Sequence, residues 1–514
     1  MKYRMWQDLN DEDFRNLGFK CGHETHQQLL TDSKLFCRCP AVKRYGPPDA
    51  EILRHMRPTL SELGVYDGAA LMEFKTKKNV IYQLFQDAVC TYEMDDTPPF
   101  HVNEEAIDIG IIISLMLNCS IVDEIHISRK QYLDGSIPTG FQRTAIVGVE
   151  GWLPLGIDDR KLRIIQLAVE EDACREISDN GHEIVFRTDR LSWPLIESVT
   201  YPDMLTPKEA GLGARQVGRL LRSSYLVRRG IGSVRQDVNV SINGGTRVEL
   251  KGVPRIAFIT PLTANEALRQ KSLLEIITLA KNRGLTPEAI KQNWKTAIVT
   301  EKIKGSLRDS APSSIIKADE IAACRIHGFK DILSYQTQPE ITFSSEIAGR
   351  IRVIACIDDM PNFSHETHET MPALLKNRPP AFGNRSVAPA SMLPESVWAD
   401  LRKQLDCREN DAVALTWGPR DDVPTALGEI LIRCKEACEF IPNETRQAFS
   451  DGTTDFERIL PGPDRMYPDT DSPPIPITEE RLNRLKKTVP ERSWEKEARY
   501  ARMGLNDEIS ADLA

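Results

Sequence analysis

The sequence predicts an α+β fold: a large, mainly antiparallel sheet with flanking helices laid on it. Stretches at 121–127 (IVDEIHI), 144–149 (TAIVGV), 162–169 (LRIIQLAV), 182–187 (HEIVFR) and 238–242 (VNVSI) read as strands separated by turn signals. Helical periodicity, with apolar residues recurring at three and four, appears at 103–117, 206–223 and 262–283. Strands grouped with helices in this way suit a layered α+β plan.

The first element sets the problem. Residues 18–30 mix polar and apolar side chains in a β-tolerant pattern, closed by the turn-like TDSK before LFCRCP. The stretch contains HETH, which recurs at 365–368, and this is not the H-E-x-x-H of a zinc hydrolase. On a strand Glu24 and His26 share a face and His23 points the other way. Glu24 and His26 then either aim at one ligand or line the wet face of the sheet. Between 300 and 445 the texture changes to alternating short helices and strands, which suggests an inserted domain. Pro-rich turns at 461–476 lead into a charged helical tail, and no repeat of fixed period is evident.

With 514 residues, 41% of them hydrophobic, the chain can build two to four domains. A net charge of -9 argues against a bulk electrostatic grip on nucleic acid, so any polyanion contact must be local. The N-terminal MKYRMWQDLNDEDF lacks the apolar core of a signal peptide, and no apolar run approaches the roughly 18 residues of a membrane span, so a cytoplasmic location is expected. Eleven scattered cysteines suit reduced thiols. Cys37 and Cys39 form the only close pair and Cys90 stands alone, so buried thiols are expected there rather than structural zinc.

Four polar clusters sit in apolar strands: Glu24 with His26; Glu170, Glu171 and Asp172; Asp189 and Glu197; Asp237 with Asn239. Carboxylates with a histidine and an amide suit a hard or borderline cation such as Mg²⁺, which often bridges to substrate phosphates; solvated strand ends are the alternative. The segment RKQYLDGSIPTGFQRT offers Arg129, Lys130, Ser136, Thr139 and Arg143 as an anion-binding loop without Walker A spacing. Residues 210–236 contain no acid, and Arg215, Arg219 and Arg222 fall on one helical face able to meet a phosphate backbone or to lie solvated.

The runs GHETHQQLLTDSKLFCRCP, LDGSIPTGFQRT, LAVEEDA, RTDRLSWPLIE, RRGIGSVRQDVNVSINGGTRVELKGV and LPGPDRMYPDTDSPPIPIT, in that order, resemble the GatB/GatE family of tRNA-dependent amidotransferase components, the archaeal-type GatE branch in particular. The resemblance covers residues 18 to about 480, with an insert that looks like the aspartyl-tRNA-synthetase-like domain of that branch. It implies a kinase-like cradle domain over 1–299, the insert over 300–445, a return to the cradle over 446–490 and the start of a helical domain over 491–514. The family's remaining helical region and tRNA-gripping tail would be mostly missing. The chain departs from the family in placing His23 and Thr25 where aliphatic residues usually flank the glutamate.

In that family the γ-carboxylate of Glu misacylated on tRNA(Gln) is phosphorylated by ATP, and ammonia then displaces phosphate. The resemblance implies ATP and Mg²⁺ as cofactors. Carried over by motif, His26, Glu171 and Glu197 would be the metal group, with Glu24 and Asp237 as further catalytic residues. Arg129, Lys130, Ser136, Arg143 and Arg235 are expected at ATP or phosphate, and Arg215, Arg219 and Arg222 at tRNA. The chain shows neither an amidase Ser-Lys signature nor an asparaginase-like threonine motif, so an asparaginase-like partner of the GatD type is expected to supply ammonia; a homodimer is also compatible. Two other readings stay open: a tail-less paralogue activating a different carboxylate, and a catalytically idle scaffold.

Overall fold

The computed structural model describes residues 3–61, 64–369, 386–506, 509–510 and 513. The chain divides into two compact units: Met1–Phe19 with Val240–Leu250 and Pro261–Leu460, and Lys20–Asn239 with Lys251–Thr260 and Pro461–Ala514. All the candidate site residues belong to the second unit.

That unit is centred on seven neighbouring strands. In chain order they are β1 (Lys20–Gln28), β2 (Ile127–Gln131), β3 (Phe141–Pro154), β4 (Lys161–Glu171), β5 (Pro194–Thr200), β6 (Val234–Ser241) and β7 (Met466–Pro468). Across the sheet they run β6-β1-β5-β4-β3-β2-β7. From β1 onward every neighbouring pair is antiparallel, in keeping with the sequence expectation. The strand read at 182–187 instead joins a separate four-stranded sheet, packed around Tyr82, Ile184 and Phe186. The stretch read at 121–127 is divided between two short strands and the start of β2.

Register decides which side chains meet. His26 lies opposite Glu197, Glu197 opposite Ala168, Glu170 opposite Thr144, and Lys130 opposite Gln142. Because side chains alternate along a strand, Glu24, His26, Glu197, Glu170 and Lys130 share one face. His23, Glu171, Arg143 and Arg129 take the other.

Helices α1 (Glu104–Met116) and α2 (Pro207–Ser223) cover that second face. The side chain of Asn103 caps α1 by accepting from the amide of Ala106. Its approach to β4 is close: a Cβ on Gly110 would stand 2.7 Å from Val169. Thr206 caps α2 and Pro207 opens it. The helix buries Ala210, Gly213, Ala214, Val217, Leu220 and Leu221, the i, i+3, i+4 stripe of an amphipathic helix. A longer helix, α3 (Ile259–Asn282), and a terminal one, α4 (Ser493–Arg502), follow. No described helix is long and apolar enough to cross a membrane.

The first unit holds a five-stranded sheet, ordered Lys295–Ile298, Glu320–Ile326, Ala412–Gly418, Phe363–His365, Val387–Ala388. One core cluster contains Phe329, Phe343, Ile347 and Ile351, and another Trp398, Leu401 and Trp417. Beside the first lies a buried ionic network in which Arg269 pairs with Glu266 at 3.0 Å, Glu346 at 2.8 Å and Glu444. Residues 370–385 of the region read as an insert lie outside the described residues.

Candidate active site

The first HETH supplies alternate residues to a composite acidic site. Glu24, His26 and Glu197 bring ligand atoms within 4.8 Å of one another. Asn239 on β6 donates to Glu24 Oε1 at 3.0 Å. His26 is held at both ring nitrogens, with Nδ1 2.8 Å from Glu170 Oε1 and Nε2 3.5 Å from Asp237 Oδ2. The ammonium of Lys130 reaches Glu197 at 3.0 Å and Glu170 at 3.2 Å, and the amide of Gly252 donates to Asp237 at 2.7 Å.

Glu170, Glu197 and Asp237 are buried and Glu24, His26 and Lys130 half-buried, so their charges are set largely by one another. For His26, burial works against the charge, but hydrogen bonds to Asp237 and Glu170 outweigh it and hold the imidazole pKa well above its ordinary value. Burial likewise opposes the charge on Lys130, and Glu197 and Glu170 hold its pKa up. Glu170 is penalised by burial too, yet Lys130 and His26 keep its carboxyl below the usual range. Asp237 is treated the same way by His26, with Lys251 adding to the effect. Four carboxylates, Glu24, Glu170, Glu197 and Asp237, therefore gather around two close cations, with Lys251 and Arg235 acting at longer range.

This donor set fits a hard divalent cation. Glu24 and Glu197 offer carboxylate oxygens of the kind Mg²⁺ prefers. His26 can join as a ligand only when neutral, since an imidazolium has no lone pair to give.

The other expected site residues are distributed differently. Glu171 stands on the helix-covered face of β4, away from His26. It accepts from the hydroxyls of Tyr92 and Ser192, both at 2.6 Å, and from the amide of Arg143 at 2.9 Å. The residue that joins His26 is its neighbour Glu170. Since the two are adjacent on a strand only one can share the face of His26, and the cross-strand register, invisible in the sequence, decides which.

The expected anion loop is split by the same alternation. Lys130 enters the acidic site, whereas Arg129 and Arg143 line a cavity of about 350 Å³ with Tyr92, Asp95, Asp96 and Asp471. Arg143 Nε also donates to Asp469 at 2.9 Å. Ser136 is spent locally: its hydroxyl and amide donate to Asp134 at 2.6 and 2.9 Å. Arg235 donates to Asp172 at 2.8 Å, and Gln28 donates to the same carboxylate at 2.8 Å. Arg215, Arg219 and Arg222 line one cavity of about 840 Å³ on the outer side of α2, where Arg219 pairs with Glu497 of α4.

His23 packs on the covered face, 1% exposed, and burial lowers its pKa to about 4, so the ring is neutral. His365 and His368 of the second HETH lie in the first unit. Their rings are 5.3 Å apart, and burial lowers their pKa values to about 3 and about 4.

Cys90 does not stand alone. Cys37, Cys39, Cys90 and Glu93 bring ligand atoms within 4.8 Å of one another, a second donor set suited to a borderline cation such as zinc. Lys34 donates to Glu93 at 2.7 Å, and burial raises the Glu93 pKa to about 7 against the pull of that ammonium. The long separation between Cys39 and Cys90 hid this group from a reading based on spacing.

Comparison with known proteins places these features. The family described as GatB/GatE catalytic domain matches residues 19–483. The GatE component of a Glutamyl-tRNA(Gln) amidotransferase from Methanococcus maripaludis strain C5 is 37% identical over 505 residues, covering 98% of this chain and 75% of the relative. The protein of that name from Sulfurisphaera tokodaii is 36% identical over 508 residues, covering 98% and 76%. That from Methanocaldococcus jannaschii is 36% identical over 502 residues, covering 98% and 75%. The match encloses all seven strands that carry the acidic site, and the relatives agree over nearly the whole chain: it belongs to the GatB/GatE family.

Proposed function

We propose that the chain is the carboxylate-activating component of an ATP-dependent tRNA amidotransferase, a ligase that forms a carbon–nitrogen bond. Its substrate is Glu carried on tRNA(Gln) and its product Gln-tRNA(Gln). The observation that carries this is the convergence of Glu24, His26 and Glu197 within 4.8 Å on one sheet face, in a chain whose relatives are named as the GatE component of Glutamyl-tRNA(Gln) amidotransferase.

A carboxylate is a poor acyl donor because its leaving group would be an oxide. An oxygen of the γ-carboxylate bonds to the γ-phosphorus of ATP as the bond to ADP breaks. The lone pair of ammonia then forms the C–N bond, phosphate departs with the C–O pair, and a proton is released. When bound, Mg²⁺ would supply charge neutralisation for the phosphates.

The protein's own residues prepare that setting. Glu24 and Glu197 would hold the cation, and Asn239 fixes the first of them. Lys130, shared between Glu197 and Glu170, is placed to turn toward a transferring phosphoryl group. Glu170 and Asp237 orient His26 from either side. A partner protein of the asparaginase-like kind supplies ammonia, and the region 300–445 is read as the inserted synthetase-like domain.

The test is ADP formation from ATP and Mg²⁺ with Glu-tRNA(Gln), uncharged tRNA and a panel of carboxylates. Stimulation by Glu-tRNA(Gln) alone is expected. Stimulation by a free or peptide-bound carboxylate without tRNA would replace the substrate, and stimulation by none would replace the enzyme with a scaffold.

A further inference from the structure

The acidic face has two ends, one on each side of His26. Glu170 and Lys130 stand on the Nδ1 side of the ring, and Asp237 on the Nε2 side. The sheet order β6-β1-β5-β4-β3-β2 explains the split. Asp237 is on β6, beyond one edge of β1, whereas Glu170 on β4 and Lys130 on β2 lie beyond the other.

The cations around this face are committed, with one exception. His26 is shared by Glu170 and Asp237, and Lys130 by Glu170 and Glu197. Arg235 is paired with Asp172 at 2.8 Å. Lys251 is different. The amide of its neighbour Gly252 donates to Asp237 Oδ1 at 2.7 Å, which fixes this stretch of chain beside the carboxylate whose other oxygen faces His26. Lys251 is half-buried, and its charge helps to hold the Asp237 carboxyl below the usual range. Its ammonium nevertheless makes no hydrogen bond or ion pair among the described residues. Gly252 has φ +66°, and a Cβ there would meet nothing within 4 Å, so the chain beside Lys251 borders open space. Drawing a charge partly out of water without a partner costs free energy, and an anion entering that space would supply the partner.

The chemistry calls for such an anion. The acceptor is a carboxylate entering a face that already carries four, where His26, Lys130 and Arg235 are spent on carboxylates of the protein itself. Phosphoryl transfer also sets the attacking and leaving oxygens roughly in line, on opposite sides of the phosphorus. With Lys130 at the end where the phosphoryl group arrives, the acceptor belongs at the other end, beside Asp237.

We propose that Lys251 is a catalytic residue that binds the acceptor carboxylate, across His26 from Lys130. The assignment rests on the proposed function and deepens it by dividing the face into a donor end and an acceptor end. The ammonium donates to one carboxylate oxygen. The other oxygen supplies the electron pair of the new bond to phosphorus, and ADP leaves with the pair of the bond that breaks.

The experiment uses the full chain with Mg²⁺ and no ATP, and tRNA(Gln) carrying Glu or Gln through a hydrolysis-resistant amide link. The two RNAs differ only in carboxylate against amide. Wild type is expected to bind the Glu form about tenfold more tightly, the scale of one hydrogen bond to a charged group. Lys251→Met and Lys251→Gln should each abolish that preference by weakening the Glu form alone, and Lys251→Arg should keep most of it. In turnover, Lys251→Met should raise KM for Glu-tRNA(Gln) about tenfold and leave KM for ATP unchanged, whereas a general loss of structure would move both. Equal affinity of wild type for the two RNAs, an unchanged preference in folded Lys251→Met or Lys251→Gln, or a rise in KM for ATP instead would overturn the assignment. A Lys251-dependent preference without ADP formation would remove the proposed chemistry and leave Lys251 as a carboxylate contact. ADP formation without the preference would remove the Lys251 assignment alone.

Discussion

Glu170 and Glu171 are neighbours in the chain that face opposite sides of β4: Glu170 Oε1 lies 2.8 Å from His26 Nδ1, whereas Glu171 accepts two hydroxyl hydrogen bonds at 2.6 Å, from Tyr92 and Ser192. One strand thus serves an acidic face and a helix-covered one. The two carboxylates should respond differently to the same substitution.

Glu170→Gln removes the carboxylate that orients His26 and neutralises part of Lys130. Loss of such an orienting partner typically costs 10- to 100-fold, so ADP formation by the folded variant is expected to fall by about that factor. Glu171→Gln is expected to lower Tm, because its amide nitrogen must face at least one of three donors and leaves it unpaired, at a cost of about 1–3 kcal/mol. Thermal unfolding and turnover measured on both variants check the pair. An unchanged Tm for Glu171→Gln with turnover abolished would place Glu171, rather than Glu170, at the chemistry.

The network around Arg269 offers a test by pH. Burial opposes the charge on Glu346, but Arg269, Arg446 and Arg433 outweigh it and lower its pKa from 4.5 to about 2. A carboxyl depressed on folding contributes stability above its unfolded pKa and loses it as pH falls through the folded one, here between about 4.5 and 2. Glu444 in the same network is likewise held below the usual range by Arg269 and Arg446 against its burial, whereas Glu266, raised by burial, works in the opposite sense, so the acid limb sums these contributions. Glu346→Gln is expected to destabilise by about 3 kcal/mol at neutral pH, because it leaves part of a buried guanidinium uncompensated. Its stability should also fall less steeply than wild type below about pH 4.5. Parallel acid limbs for the two proteins would assign the acid response elsewhere.

Cys37, Cys39, Cys90 and Glu93 make metal content measurable without any assay of activity. One zinc ion per chain is expected by elemental analysis, with chelation lowering Tm and Cys90→Ser reducing both zinc content and Tm. A zinc-free protein whose Tm ignores both chelator and Cys90→Ser would return the group to plain buried thiols.

Much of this was legible in the sequence, for identifiable reasons. Period-two alternation put Glu24 and His26 on one face and His23 on the other, and the amphipathic stripe of α2 put Arg215, Arg219 and Arg222 outside. What the sequence hid were relationships set by register and long-range folding. The choice of Glu170 over Glu171 depends on how β4 pairs with β3 and β5. The separation of Lys130 from Arg129 and Arg143 follows the same alternation, applied to a stretch read as a loop that is strand at both ends. The pairing of Arg235 with Asp172 is also set by the fold, since a basic residue gives no sign of its partner in the sequence. Cys90 joins Cys37 and Cys39 only through the fold.

The most direct test of the proposed chemistry follows the oxygen. Glu-tRNA(Gln) labelled with ¹⁸O in both γ-carboxylate oxygens is supplied with ATP, Mg²⁺ and ammonia, and the released phosphate is analysed by mass. Phosphorylation of the carboxylate predicts one ¹⁸O in each phosphate formed with Gln-tRNA(Gln), and loss of labelled phosphate in Glu197→Gln. Phosphate free of ¹⁸O while Gln-tRNA(Gln) accumulates would contradict it.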